Sequence, residues 1–145
     1  MSVEDNKKTV RLVEEAWERG DVGSLDQHFS PKFDNSASLP PGMPVGLETA
    51  KMLHQMVMQS FPDRKVDQVE LIGEGDKVMV RNRVTGTNRG GVMWLGAPAN
   101  DAKIDIHSIS IYTFDKKGKI AGHYGLNDAY TLGMQVGVIQ PPTMG

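Results

Sequence analysis

The sequence contains no cysteine, which excludes disulfide bonds, thiolate metal sites and cysteine nucleophiles. It also lacks a long apolar run, so no segment supplies the roughly 20 apolar residues that a membrane-spanning helix needs. The first residues are acidic and polar, and they predict no secretory signal. We therefore expect a cytoplasmic protein that does not interact with membranes.

An excess of charge of one sign is also missing. The chain has 16 basic and 18 acidic residues, a net charge of -2. The densest basic stretch is Arg81, Arg83 and Arg89, along one predicted strand and its turn, whereas nucleic-acid binding needs a concentrated positive face. The histidines (His28, His54, His107 and His123) lack zinc-site spacing. We predict no nucleic-acid partner, no metal and no cofactor.

The spacing of the apolar residues changes once along the chain, from a helical to an alternating period. The 145 residues are enough for a single domain, which we predict to span residues 1–145. Apolar residues at three- and four-residue spacing predict helices over residues 4–19, 22–29 and 47–60, and a short last helix over 129–136. Alternation predicts strands over 66–72, 77–87, 103–114 and 119–127. This order predicts an α+β fold, in which a curved antiparallel sheet wraps around the N-terminal helices and forms a cone with an internal apolar pocket.

The last predicted strand carries ionisable side chains into this interior. His123, Tyr124 and Asp128 lie within six residues, and such groups are costly in a core unless they are paired or face a cavity. Because side chains alternate along a strand, His123 and Asn127 share a face with Gly125. This strand therefore predicts part of a pocket.

Four segments in order resemble the SnoaL-like polyketide cyclases, whose cone-shaped barrel also occurs in nuclear transport factor two, ketosteroid isomerase and limonene epoxide hydrolase. The segments cover residues 14–31, 46–63, 80–98 and 118–128, and they include Phe61-Pro62-Asp63, Gly86-Thr87 and Gly118-Lys119-Ile120. The resemblance implies the same barrel and a ring-closing activity without a cofactor.

The resemblance also implies catalytic positions. In the anthracycline-type cyclases an aspartate on the final strand is the general acid/base of an intramolecular aldol closure. Its pattern, Arg-Asp-Trp-Pro-Asp, falls on residues 124–128, so Gly125 stands where that aspartate is expected and only the second aspartate remains, as Asp128. A pocket histidine of those enzymes falls on Ser110, and an asparagine matches Asn35.

His123, Asp128 and Asn35 are therefore the candidate catalytic residues. A buried His123 either moves a proton or polarises a carbonyl near neutral pH, or is a structural histidine satisfied by neighbouring backbone. Asp128 either replaces the missing base or caps the helix that follows it, a role worth about 1 kcal/mol.

Seven further residues are predicted to bind substrate: Trp17, Met56, Phe61, Trp94, Ser108, Ser110 and Tyr112. Trp94 lies in a glycine-rich loop that we predict to be a flexible lid. The hydroxyl-bearing face of residues 108–112 either orients a polar group of an apolar ligand or is ordinary core. His107 falls on the opposite, outer face, through which we expect a homodimer.

These features favour a cofactor-independent cyclase acting on a polyketide-type intermediate in natural-product biosynthesis. A pocket can promote pericyclic closure by ordering a flexible chain, whereas aldol closure also needs a base. The alternatives are a non-catalytic small-molecule binding protein, or a hydroxylase or isomerase on the same scaffold.

Overall fold

The computed structural model describes residues 2–144, and it confirms the α+β fold. The sheet is curved and unclosed, its strands are ordered β1-β5-β4-β3-β2, and the N-terminal helices lie against it. The elements are α1 (Val3–Arg19), β1 (Phe29–Asp34), α2 (Leu47–Ser60), β2 (Lys65–Glu74), β3 (Lys77–Thr87), β4 (Lys103–Phe114), β5 (Ile120–Asn127) and α3 (Ala129–Gln135).

The segment after α1 differs from the prediction. The helix expected over residues 22–29 is two short 3-10 turns, Val22–Ser24 and Asp26–His28, and β1 follows at once. β1 pairs parallel to β5, so the predicted antiparallel arrangement is correct only for β2 to β5. Pro31 is tolerated in β1 because this strand lies at the edge of the sheet.

Local signals explain the bounds of α1. Ser2 and Asp5 form a reciprocal capping box at its start, and Gly20 ends it with a φ of 75°. Val10 and Val13 on one face are fully buried against the sheet. Within residues 2–144, the helices are too short or too polar to cross a bilayer.

The inner face of the sheet carries a polar band between two apolar clusters. On β3, Asn82 lies between the buried Val80 and Val84. Asn82 is in register with Ser108 of β4, and Ser108 with Asn127 of β5. Apolar side chains fill the interior on both sides of this band, so the polar band marks the part of the interior that is left open as a cavity.

The loop after β3 is tied to its surroundings by Asn88, a fully buried residue. The Asn88 side chain donates to Pro98 O at 2.9 Å and accepts from Gly91 N at 2.9 Å, and Val92 forms a bridge with Ala97. Trp94 has 49% of its surface exposed. The loop that we predicted to be a flexible lid is thus held by a buried side chain and a β-bridge.

Gly90 marks a close approach of this loop to the end of α2. A Cβ atom at Gly90 would lie 2.0 Å from Gln59 O, whereas a Cβ at Gly23 meets nothing within 4 Å. We expect Gly90→Ala to lower the free energy of unfolding by at least about 2 kcal/mol, measured by urea denaturation. The matched control Gly23→Ala should change it by less than about 0.5 kcal/mol. Equal effects of the two substitutions would show that the loop is not packed as described.

Candidate active site

A cavity of about 290 Å³ lies over the polar band of the sheet, close to the lower end of the size range of ligand pockets. Its sheet wall consists of Asn82, Ser108, Ile109, Ser110, Tyr112, His123, Gly125, Leu126 and Asn127. Its helical wall consists of Glu14 and Trp17 of α1, Ala50, Leu53 and His54 of α2, and Arg64 from the turn before β2. Phe29, Phe33, Asn35, Ser38 and Leu39 close one side.

The His123 imidazole lies across Gly125 within the sheet wall. His123 Nε2 is 3.0 Å from Ser110 Oγ, and a Cβ atom at Gly125 would lie 2.9 Å from His123 Cε1. Burial lowers the pKa of His123 to about 4. The ring is therefore neutral near pH 7, and it fills space that a side chain at position 125 would need.

The backbone around His123 is held by Ser38, in the 3-10 turn Ser36–Ser38 after β1. Ser38 Oγ accepts a hydrogen bond from Gly125 N at 2.9 Å and donates one to His123 O at 3.3 Å. Asn35, just before this turn, is 3% exposed, and its side-chain amide bonds to both the N–H and the C=O of Gly46. Asn35 thus fixes the loop before α2, and these two bonds commit one donor and one acceptor site of its amide.

Glu14 joins the two walls. Its carboxylate accepts hydrogen bonds from Asn82 Nδ2 at 2.7 Å and from Tyr112 Oη at 2.9 Å. Burial raises the pKa of Glu14, although these two bonds oppose the shift. Burial and the Glu14 charge raise the pKa of Tyr112 well above its usual value. The Tyr112 hydroxyl is therefore a donor to Glu14, and its ring lies against His123 with centroids 5.0 Å apart.

Comparison with known proteins agrees with this geometry. A profile of SnoaL-like polyketide cyclases matches residues 7–136. The chain belongs to the SnoaL-like polyketide cyclase family. A search of curated sequences finds no match.

Solved structures show the same relationship. A proposed polyketide cyclase from Bacillus cereus is 31% identical, with a TM-score of 0.70 over 86% of this chain and 75% of that one. IdmH, a proposed polyketide cyclase from Streptomyces antibioticus, is 24% identical, with a TM-score of 0.75 over 92% and 99%. AclR, a proposed hydroxylase from Streptomyces galilaeus, is 22% identical, with a TM-score of 0.81 over 97% and 89%. The last two similarities show the fold alone.

Several residues that we predicted for the site of this SnoaL-like protein do meet at the cavity: Trp17, Asn35, Ser108, Ser110, Tyr112 and His123. Met56, Phe61 and Trp94 lie outside its lining. Phe61 is 3% exposed and packs in the apolar cluster beneath α3, and Met56 lies half-buried on α2. Helical spacing placed Met56 and Phe61 in the interior but did not distinguish packed core from cavity wall.

Asp128 also lies outside the cavity lining. It is the N-cap of α3 and accepts hydrogen bonds from Thr131 N at 3.1 Å and Thr131 Oγ1 at 2.6 Å. The Thr131 hydroxyl and N–H hold the pKa of Asp128 below its usual value. The geometry supports the interpretation of Asp128 as a helix cap. It does not support the alternative that Asp128 supplies a base at the cavity.

Sequence reasoning missed five polar residues of the cavity, Glu14, Ser38, His54, Arg64 and Asn82. Charged and amide groups therefore line this cavity together with apolar side chains such as Phe29, Phe33 and Leu53. Asn82 was detectable, because it interrupts the run of valines that alternates along β3. Glu14 sits on the border of the apolar face of α1, where periodicity alone does not decide which way a side chain turns. Among residues 2–144, no three His, Asp or Glu side chains are grouped to hold a metal ion.

The raised pKa of Glu14 makes a testable prediction about stability. The folded state holds the carboxyl proton of Glu14 more tightly than the unfolded chain does. The free energy of unfolding of the wild type therefore falls as pH rises from the pKa of Glu14 in the unfolded chain to its pKa in the folded protein. Glu14→Gln has no proton to lose and does not show this fall. We expect the stability of Glu14→Gln relative to wild type to increase between pH 4.5 and pH 8, as measured by urea denaturation.

The control is Glu15→Gln, which removes a charge from an exposed position of the same helix and should not show this pH-dependent gain. If the free energies of unfolding of wild type and Glu14→Gln change in parallel with pH, then Glu14 is not a buried carboxyl with a raised pKa.

Proposed function

We propose that this protein is a cofactor-independent cyclase that closes a ring in a polyketide-type molecule, and that it acts as a cytoplasmic homodimer. Membership of the SnoaL-like family supports a cyclase-type activity. One observation supports the choice of residues: a neutral imidazole with a serine partner lies in the cavity beside Gly125, where the family resemblance expects an aspartate. We assign His123 the role of that aspartate.

The basicity of His123 suits this role. A pKa of about 4 is close to the usual pKa of an aspartate, about 3.9, and an aspartate of only modestly raised pKa is a sufficient base for enolisation in ketosteroid isomerase. The charge differs, however. An aspartate becomes neutral when it takes a proton, whereas His123 becomes a cation, which attracts the enolate oxygen formed in the same step.

The proton balance of the closure is simple. We assign His123 the tautomer in which Nε2–H donates to Ser110 Oγ, 3.0 Å away; the lone pair is then on Nδ1. Nδ1 takes a proton from the carbon beside a substrate ketone, and the enolate carbon bonds to a second carbonyl carbon. The new alkoxide then recovers that proton from His123. No oxidant, reductant or metal enters this sequence.

The direct test is ring closure of 1-phenylhexane-1,5-dione, a flexible diketone that forms a conjugated cyclohexenone after aldol closure and loss of water. We expect wild-type protein to accelerate the closure, and His123→Gln to lower kcat/KM by at least about 100-fold. Absorbance of the product gives the rate. Wild-type activity should fall below an apparent pKa near 4, because protonation removes the base.

Two further variants make the result specific. Gly125→Ala leaves the imidazole in the sequence but places a Cβ 2.9 Å from His123 Cε1, so it should also reduce activity. Asp128→Asn changes a carboxylate outside the cavity and should not. If His123→Gln retains full activity, the base assignment fails and ordering of the chain alone drives closure. Binding of the diketone without any turnover would instead favour a non-catalytic binding protein.

The homodimer proposal is supported by the outer face of the sheet. Ile72, Met79, Ile111 and Tyr124 are in register across β2 to β5, and Ile72 and Tyr124 are 52% and 42% exposed. Beside this row, Arg81 and Arg83 form ion pairs with Glu70 and Asp105. An exposed apolar row flanked by paired charges is typical of a protein interface.

We expect wild-type protein to sediment as a dimer and Tyr124→Glu to shift it to monomer, because a carboxylate would be buried in the interface. The matched control is Tyr130→Glu, since Tyr130 is similarly exposed, at 53%, but lies on α3. A monomeric wild type, or a Tyr124→Glu variant that stays dimeric, would contradict the interface.

A further inference from the structure

The backbone of Arg64, in the helical wall of the cavity, is held in place by several contacts. It follows Asp63, which accepts hydrogen bonds from Thr87 N at 2.8 Å and Thr87 Oγ1 at 2.7 Å. Arg64 N donates to Phe61 O at 2.9 Å. A Cβ atom at Gly86 would lie 3.5 Å from Arg64 Cα, so the backbone at Arg64 lies close against β3. These contacts hold the base of the Arg64 side chain, which lines the cavity.

The Arg64 guanidinium has no protein partner in residues 2–144. The other arginines of the sheet, Arg81 and Arg83, are paired with carboxylates, but Arg64 forms no ion pair or side-chain hydrogen bond in the part of the chain described. Its side chain is half-buried, and none of its nitrogens is among the buried atoms that lack a partner, so the guanidinium is open to the cavity. Burial lowers its pKa, and the charges of Glu14 and Glu18 only partly oppose this shift. A guanidinium that lines a cavity without a hydrogen-bonded protein partner is available to an anionic ligand.

His54 provides a second unsatisfied group in the same wall. Its Nε2 atom is buried and has no hydrogen-bond partner in the described chain. Its ring lies against the Trp17 indole with centroids 4.8 Å apart. Burial, followed by the Arg64 charge, lowers the pKa of His54. Arg64 and His54 therefore bring two polar groups, beside one aromatic surface, to a cavity whose other polar groups largely bond to one another.

We propose that Arg64, His54 and Trp17 form a carboxylate-binding subsite, so that the molecule this protein acts on carries a free carboxylic acid rather than an ester. The inference rests on the proposed function only in naming the bound molecule as substrate. A planar guanidinium binds the two oxygens of a carboxylate with parallel N–H···O bonds. The His54 ring also bonds to the Trp17 backbone, so its free Nε2 donates to the same group when the imidazole is protonated, and Trp17 packs against the apolar atoms beside it.

Charge in the cavity favours a monoanion over a phosphate. Glu14 lies near enough to act on the Arg64 pKa, and its two oxygens already accept bonds from Asn82 and Tyr112. A dianion beside Arg64 would be repelled by this carboxylate. A monoanion is repelled less, because it carries a smaller charge.

The test compares naphthalene-2-carboxylate with its methyl ester as probes of the whole protein. Binding is followed by Trp17 fluorescence in a Trp94→Phe background, since Trp94 is the other tryptophan and lies outside the cavity. We expect the carboxylate to bind at least about 10-fold more tightly than the ester, and Arg64→Gln to remove this preference by weakening the carboxylate alone. Arg64→Lys keeps the charge but lacks the paired N–H donors of the planar guanidinium, so its affinity for the carboxylate should lie between those of Arg64→Gln and wild type.

The control is Arg89→Gln, which changes a surface arginine paired with Asp101 and should leave both affinities unchanged. Equal binding of acid and ester to wild-type protein, or loss of both probes in Arg64→Gln, would overturn the subsite. The wild-type comparison keeps the test valid even if an Arg64 variant fails to fold. No turnover is measured, so failure of the ring-closure proposal and failure of the subsite are separate outcomes.

Discussion

The candidate active site depends on one steric constraint, the absence of a side chain at Gly125. The imidazole of His123 lies across this residue, and a single added carbon there would come within 2.9 Å of the ring. The resemblance to cyclases with an aspartate at this position and a histidine at Ser110 suggests an exchange of roles within one pocket. Gly125 and Ser110 are in register with each other, and these two small residues leave room for the imidazole of His123, which lies two residues before Gly125 on β5 and reaches Ser110 Oγ with its Nε2 atom.

The rest of the cavity follows from a break in the packing of the sheet. Apolar side chains fill the interior above and below the polar band of Asn82, Ser108 and Asn127, and the space between remains open. Glu14 crosses that space from α1 and bonds to Asn82 and Tyr112, so the helical and sheet walls are joined through a buried carboxyl. Tyr112 in turn packs on His123, which connects the packing of α1 to the position of the proposed base.

The strands with clear alternation were predictable to the residue. β3 and β4 have the predicted bounds, because every second side chain of these strands faces the interior and most of these enter an apolar cluster. β1 was missed because it is short, contains Pro31 and is held by pairing with β5, which is distant in sequence. For the site, strand parity correctly placed His123 and Ser110 on the inner face. Arg64 and Glu14 were missed because only the approach of α1 and the α2–β2 turn to the sheet, a tertiary contact, brings them to the cavity.

The central claim is that His123 is a neutral imidazole enclosed in the cavity, and its titration tests this most directly. The four histidines can be followed by NMR in protein labelled at histidine, with the His123 signal assigned from its loss in a His123→Gln variant. The account predicts that His123 stays neutral from pH 8 until the pH approaches about 4. Protonation near pH 6.5, the value of an ordinary solvated histidine, would contradict it, because the ring would then be open to water instead of held across Gly125.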